Sequence, residues 1–565
     1  MYEDPFYIEA VTVKTDSSDL IHPQTIVWSP AKLWKNQLKY SFDIYMFPHF
    51  LFCRFYMFPH FLYVHFTSFV HFFKSIPGSV EFLPKSDYTL FCNYVRLHLG
   101  ICRLWKGLII DMKQIDFENG TITGNIINAA VPMLVAQVLS LLYNIVDRIY
   151  IARIPGIGST ALGAVGLCFP VIIIITAFSN LFGGGGAPLF AIQRGMGHDR
   201  KAGRIMNTSY TMLCGCAVLL MGLGLLFARP LLVLFGASES ALVYACPYMM
   251  IYLLGTFPSM AATGLNPFIN AQGYATTGML SVTIGAVANL ILDPIFIFAL
   301  HLGIKGAAIA TVISQCLSAG FVLYFLMKKA EIRIRLLHRK ELPTSLQYAK
   351  NIVSLGTSGF VMQLTNSLVS ICCNNVLSHT GGDLYVSVMT IISSVRQMVE
   401  TPILAITEGS SPIISYNYGA RRPDRVIRAA VTMGIMALVY SVLMWGLILT
   451  EPRFLIHIFS SDQELWKDAV PAMKLYFAAF IFMLLQYTGQ TIFKSLNKKK
   501  QAIFFSLLRK VIIVVPLTYL LPYTFHLGTN GVFLAEPVSN VIGGTLCFVV
   551  MLVTVLPELR QMKKE

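Results

Sequence analysis

Residues 301–314 read HLGIKGAAIATVIS and residues 526–539 read HLGTNGVFLAEPVS. The two stretches share the His-Leu-Gly start, the second glycine, an alanine and the closing serine at an offset of 225 residues. Pro188 and Gly195 recur as Pro412 and Gly419 at an offset of 224, and Gln137 and Gly156 recur as Gln363 and Gly382 at 226. Three separate matches within one residue of a common offset identify an internal duplication, so the fold is built twice along the chain.

Composition shows what kind of unit was copied. Of the 565 residues, 55% are apolar and 13% charged, the mean hydropathy is +0.64, and many apolar runs exceed about 18 residues, the length that crosses a bilayer as a helix. From Met112 onward twelve such runs fall at 126–152, 160–192, 207–228, 242–268, 277–300, 304–327, 350–377, 386–415, 426–450, 468–492, 503–523 and 530–555. The expectation is an all-α integral membrane protein of twelve transmembrane helices in two parallel six-helix repeats. Residues 112–327 form the first bundle, 328–349 a cytoplasmic linker, 350–557 the second bundle and 558–565 a cytoplasmic tail. Because six is even, both copies insert in the same orientation, related by an axis along the membrane normal.

The net charge of +15 would point to nucleic acid in a soluble chain. Here the basic residues sit in short loops, RGMGHDRKAGR after the second span, KKAEIRIRLLHRK after the sixth and GARRPDRVIR after the eighth, where they orient the helices with both termini cytoplasmic. No nucleic-acid partner is expected. The eleven cysteines show no C-x-x-C pair or zinc spacing. Gly183–Gly186 lack the Gly-Lys-Ser/Thr ending of a phosphate loop and read as helix packing. Asp199 with Arg200 and Lys201, and Asp424 with Arg421, Arg422 and Arg425, read as charge anchors in the loops. Residues 1–111, with the direct repeat MFPHFL at 46 and 57, remain an unassigned extension, and translation is expected to start at Met112.

The duplication isolates what one copy has and the other lacks. Asp147 corresponds to Cys373, Asn289 to Val514, Asp293 to Thr518 and Thr311 to Glu536. An acid at depth in a membrane helix costs about 2.5–3.5 kcal/mol, and structure common to both copies does not require either one. Asn289 and Asp293 share a helix face at i,i+4, as do Asn144 and Asp147 at i,i+3 and Tyr143 and Asp147 at i,i+4. If the first and fifth spans face each other, these groups and Thr311 form an oxygen-rich pocket suited to a proton or a small hard cation such as Na+. The competing reading pairs Asp147 with Arg148 or Arg153 and leaves Asp293 beside the backbone break at Pro294.

The stretches NIVDRIYIARIPG, ANLILDPIFIF, GIKGAAIATVISQ, GSSPIISYNYGARRPDR and AEPVSN together resemble the bacterial multidrug and toxic compound extrusion (MATE) transporters over about 118–557. The resemblance implies a V-shaped pair of six-helix bundles in the bacterial cytoplasmic membrane, a monomer without cofactor, exporting small organic, often cationic compounds in exchange for H+ or Na+. It implies Asp147, Asn289, Asp293 and Thr311, with Tyr143 nearby, as the ion-coupling residues, and Pro132 as the place where the first helix bends. Departures are Cys373 and Thr518 in the second bundle and Asn540 where the family often carries Asp. Gln137, Gln363, Met133, Met362 and Glu408 are expected to line a substrate cavity, with Phe169 and Phe360 as further apolar candidates. Glu400 and Glu536 could, with Glu408, attract a cationic substrate.

Two other functions compete. A flippase of lipid-linked saccharides from a related two-bundle family would need a cavity rich in Arg and Lys, whereas the intramembrane charges are read here as acidic. An integral membrane enzyme is disfavoured because no Ser/His, His/Asp or metal-ligand constellation recurs at membrane depth.

Overall fold

The computed structural model describes residues 114–337, 341–459 and 463–564; the expectations for residues 1–111 and for a start at Met112 fall outside them. The described residues are almost entirely helical. In chain order the long helices are α1 Ile122–Ala152, α2 Thr160–Gly195, α3 Asp199–Leu226, α4 as the pair Ala241–Leu254 and Thr256–Ala271, α5 Ala275–Ala299 and α6 Gly303–Lys329. Then follow α7 Ser345–Gly382, α9 Pro423–Thr450, α10 as the pair Leu465–Tyr476 and Phe480–Ser495, α11 Lys499–Thr524 and α12 Gly528–Lys564. Between α7 and α9 lies α8, residues 383–419, which continues the helix beyond a break at Gly382 (φ 71°, ψ −168°). Nine of the described helices are individually long and apolar enough to cross a bilayer, or eleven with each bent pair counted as one span. The expected twelfth falls on α8, whose apolar character is diluted by Arg396, Glu400 and Glu408.

Two spans are bent, α4 by 54° and α10 by 47°. Their breaks, at Gly255 and near Ala479, are repeat-equivalent at the 224 offset. The linker is also shorter than expected, because the helix leading into α7 already starts at Leu342.

The duplication extends to the backbone. Left-handed residues recur as Gly156 and Gly382 (77° and 71°), Gly197 and Arg421 (72° and 52°), Gly273 and Asn497 (89° and 59°), His301 and His526 (53° and 55°), and Gly303 and Gly528 (54° and 53°). Side chains with a Cβ resist this region, so His301, Arg421, Asn497 and His526 hold it only because the surrounding turns are the same in both copies. Core packing divides along the same line. One buried cluster runs from Ile151 to Leu355 and another from Val369 to Phe533. A third, with Phe117, Ile126, Ile413 and Phe493, draws on both halves.

The halves meet through glycines. A methyl group added at Gly195 would stand 1.9 Å from the Tyr416 carbonyl oxygen, and one added at Gly419 would stand 2.1 Å from that of Ile192. Since 192 and 416 are themselves equivalent, this contact of α2 with α8 is reciprocal. Gly185 against the Ile352 carbonyl (2.2 Å) and Gly356 against that of Leu181 (1.9 Å) extend it. All lie towards the end of the molecule that carries the basic loops. There the signature around Asn417 ties down the chain before α1. Asn417 Nδ2 donates to the Phe117 carbonyl at 3.2 Å, and Arg425 Nη2 donates to the carbonyls of Phe117 and Gly120 at 3.1 and 2.7 Å. In the same turn the backbone N–H groups of Asn119 and Glu118 donate to Asp116 at 2.9 Å and hold its carboxyl below the usual range.

These crossings are sensitive to one carbon atom. Gly195→Ala and Gly419→Ala should each destabilise the protein by about 1–3 kcal/mol through overpacking. The readout is a lower thermal unfolding midpoint in detergent, while Gly163→Ala and Gly215→Ala, where the new methyl meets nothing within 4 Å, should leave it unchanged.

Candidate functional site

α1, α5 and α6 bring together the first set of residues expected from the sequence. Asp293 is 0% and Asn289 2% exposed, one turn apart on α5. The Asn289 amide Nδ2 donates to Asp293 Oδ1 at 3.1 Å and to Thr311 Oγ1 of α6 at 3.4 Å. The Asp147 carboxyl of α1 lies against that of Asp293, with Tyr143 one turn earlier. Arg148 does not neutralise Asp147. Its guanidinium lies over the Phe169 ring, 4.9 Å from the centroid, and among the described residues no ion pair joins Asp147 to Arg148 or Arg153.

Four buried oxygens in this neighbourhood accept no hydrogen bond: Asp147 Oδ1, Asp293 Oδ2, Asn289 Oδ1 and Gln315 Oε1. Buried acceptors without donors are costly. Two unit negative charges held ~4 Å apart at an effective dielectric of ~20 would add ~4 kcal/mol of repulsion. An oxygen-only set of this kind fits a proton or a hard cation. The second half has none of it, since the equivalent side chains are Cys373 and Thr518, whose Sγ and Oγ1 stand 3.9 Å apart. The repeat therefore preserves the spatial pairing and changes only the chemistry.

Three contributors escaped the sequence reading. Tyr248 of α4 borders both carboxyls, its ring stacks on Tyr252 with centroids 6.3 Å apart, and Gln315 Nε2 of α6 donates to Tyr252 Oη at 3.3 Å. The i,i+4 spacing of the two tyrosines was the available signal. Asn144 departs from expectation. It donates to the Ser140 carbonyl at 2.7 Å and faces a different space.

That space is a cavity of about 580 Å³ between the halves. The first half contributes only α1, through Gln137, Ser140, Leu141 and Asn144, and Asp147 continues the same helical stripe one turn beyond. α7, α8, α10, α11 and α12 supply the other walls. Of the expected cavity residues, Gln137 is present. Met133, Met362, Gln363 and Glu408 are not in the wall: Gln363 accepts from Asn180 Nδ2 across the two halves at 3.3 Å, and Glu408 accepts from Gln137 Nε2 at 3.4 Å. α1 runs unbroken through Pro132, which leaves the Asn128 carbonyl without its helical donor.

The largest correction concerns charge. The membrane interior is not only acidic: Arg396, Arg509 and Lys510 are buried or nearly so in the second half and surround Glu400 and Glu536. Lys510 Nζ lies 3.1 Å and Arg509 Nη1 3.0 Å from Glu536 Oε1, and Arg396 Nη2 lies 3.4 Å from the same oxygen. Arg396 Nε also pairs with Glu400, and its Nη1 donates to Tyr476 Oη at 2.9 Å. Arg509 Nη1 reaches Asn540 Oδ1 at 2.6 Å, so Asn540 closes the network. Glu400 and Glu536 are thus occupied by bases and are not free to attract a cationic substrate. Arg396 and Glu400 at i,i+4, and the Arg-Lys pair inside an apolar run, were legible in the sequence. Averaged hydropathy concealed them.

Comparison with known proteins bears on the whole arrangement. The MatE family model matches residues 132–295 and 360–520, more than half of the chain and one segment in each repeat. The multidrug export protein MepA of Staphylococcus haemolyticus is 26% identical over 389 residues, 67% of this chain and 84% of that protein. The FAD transporter of Shewanella oneidensis is 25% identical over 431 residues, 75% of this chain and 93% of that protein. A solved MATE family transporter of the MOP superfamily, in an outward-facing conformation, superposes with a TM-score of 0.73 at 22% identity, covering 80% of this chain and 99% of that one.

Glu536 is the acid on which three bases depend, so Glu536→Gln should strand buried positive charge at a cost of about 3–5 kcal/mol. The expected outcome is a clear fall in thermal midpoint or in membrane yield, while Asp293→Asn, which removes a charge with no base beside it, should maintain or raise the midpoint.

Proposed function

The chain belongs to the MatE family of membrane transporters, and from that premise we propose that it is a secondary antiporter that exports small organic compounds in exchange for H+ or Na+ moving inward. The observation that carries this reading is the Asp147–Asp293 pair, present in one repeat only, Asp293 buried and Asp147 half-buried, with one buried oxygen on each that accepts no donor. The cation is a transported substrate, held between Asp147 and Asp293 with Asn289, Thr311 and Tyr143 around it. The halves 112–327 and 350–557 act as the two moving bodies about the linker 328–349, in a bacterial cytoplasmic membrane with both termini cytoplasmic and no cofactor. The names of the relatives, one a multidrug export protein and one an FAD transporter, support an organic substrate.

α1 is the coupling element in this proposal. Its stripe from Gln137 to Asn144 walls the cavity and its next turn presents Asp147 to the ion pocket. Neutralising the acid pair relieves the repulsion between the carboxyls and lets α1 settle against α5. Pro132, with its missing backbone donor, is where the helix yields. Entry of the cation at one end of the stripe thereby changes the cavity wall at the other, the differential contact that alternating access requires.

Reconstituted into proteoliposomes, the protein should drive counterflow of a fluorescent organic dye when an opposing gradient of its coupling ion is imposed, with the proton and sodium gradients applied separately to identify that ion. Asp147→Asn and Asp293→Asn should each lower gradient-driven flux at least tenfold at unchanged protein level. Cys373→Ala and Thr518→Val, at the equivalent place in the second half, should stay within about twofold. Full flux in the Asp293 variant would remove the ion site from the mechanism.

A further inference from the structure

The central cavity is walled on one side by a cluster whose charges do not balance. Arg396, Arg509 and Lys510 bring three positive charges, Glu400 and Glu536 two negative ones, and among the described residues no ion pair adds a third carboxylate. Glu536 Oε1 is shared by all three bases. The Lys510 ammonium, with three protons to donate, makes its bonds to the two oxygens of Glu536 alone, at 3.1 and 3.3 Å. Its side chain is 2% exposed, yet it lines the cavity together with Arg396.

A surplus buried cation of this kind is not needed to hold the fold. At the 224 and 225 offsets Arg396 falls on Ile172, Glu400 on Thr176, Arg509 on Ile284, Lys510 on Gly285 and Glu536 on Thr311. The first half builds the same helices with no charge at any of these places. Arg509 and Lys510 also sit in a π-helical turn, residues 508–514, and Asn540 in another, residues 540–544. Such turns displace side chains from the regular helical register and are frequent at functional sites.

We propose that Lys510 and Arg396 form an oxyanion subsite in the cavity, which takes the carboxylate or phosphate group of a soluble organic anion or zwitterion carried by this protein. The assignment rests on the transport reading above and specifies its substrate class. Guanidinium and ammonium groups in a dry site give strong charge-assisted hydrogen bonds to carboxylate and phosphate oxygens, and one negative group brings the cluster to neutrality. The geometry allows the exchange without stranding an acid. Arg509, which does not line the cavity, stays on Glu536 and Asn540 and Arg396 Nε stays on Glu400, while Lys510 Nζ and Arg396 Nη2 turn to the incoming group. On the facing wall Ser140 and Asn144 offer a hydroxyl and an amide to the remainder of the substrate. A purely cationic compound meets a net positive wall.

The test uses the purified full chain in detergent, with no gradient, and two dyes built on the same xanthene core: carboxyfluorescein, an anion, and rhodamine 123, a cation. Fluorescence anisotropy should show carboxyfluorescein bound at least tenfold more tightly than rhodamine 123. Lys510→Gln should weaken carboxyfluorescein at least tenfold and leave rhodamine 123 within threefold, while Lys510→Arg should retain the anion. Equal or tighter binding of rhodamine 123 to the unaltered protein overturns the proposal, as does an equal loss of both dyes in a folded Lys510→Gln protein. If that variant does not fold, the dye preference of the unaltered protein decides alone. Citrate or inorganic pyrophosphate should displace carboxyfluorescein. Displacement by farnesyl pyrophosphate and by no soluble anion would place the oxyanion on a lipid and overturn the soluble-substrate assignment. Loss of gradient-driven flux with the anion preference intact would count against the antiport reading only.

Discussion

Glu536 takes hydrogen bonds from Lys510 and Arg509 at 3.1 and 3.0 Å, with all three side chains at most 5% exposed. In such surroundings an ion is tolerated only beside its counter-ion, and removing one partner costs more than the pair contributed. That constraint orders the rest of the molecule. Most charged residues of the interior are gathered into two separate constellations, one in each half, with Glu408 and Lys494 a further pair outside them. Among the described residues, Asp147 and Asp293 of the first half form no ion pair. The second half has a surplus base.

The two constellations are joined by one helix. The Gln137–Asn144 stripe of α1 walls the cavity and the next turn carries Asp147, so a shift of α1 alters both at once. Arg509, Lys510 and Asn540 sit in π-helical turns of α11 and α12, whereas Asp147, Asp293, Arg396, Glu400 and Glu536 sit in regular α-helix. The straighter helices, such as α3 and α9, carry none of the clustered charge.

The duplication and the acid pair were legible in the sequence because each depends on residue identity at a fixed spacing. The pairing of Asp147 with Asp293 could be inferred because hydrocarbon makes an isolated acid so costly. What could not be read was distance between helices. Asn144 was grouped with Asp147 on helical spacing, but packing places it against the cavity one turn away. Arg396 and Glu400 stand one turn apart on α8, a pairing that spacing alone carries, but the bases of Glu536 lie 26–27 positions away or on α8, and only the crossing of α8, α11 and α12 shows that pairing. The bend at Gly255 coincides with Pro258, which removes the donor to the Leu254 carbonyl, whereas the equivalent bend near Ala479 has no proline within five residues.

The crossing of Gly195 over Tyr416 and of Gly419 over Ile192 has the form of an isologous contact, in which one patch meets a copy of itself across a twofold axis. Two identical chains would make it without any linker. In such an ancestor a substitution in the ion pocket or the cavity would appear in both subunits, and two acid pairs or two basic clusters would face each other across the axis. Joining the copies into one chain removed that restriction everywhere except on the axis. Acid could then accumulate on one side and base on the other, while at the crossing Gly195 and Gly419 still match and Ile192 and Tyr416, which contribute only backbone carbonyls there, do not.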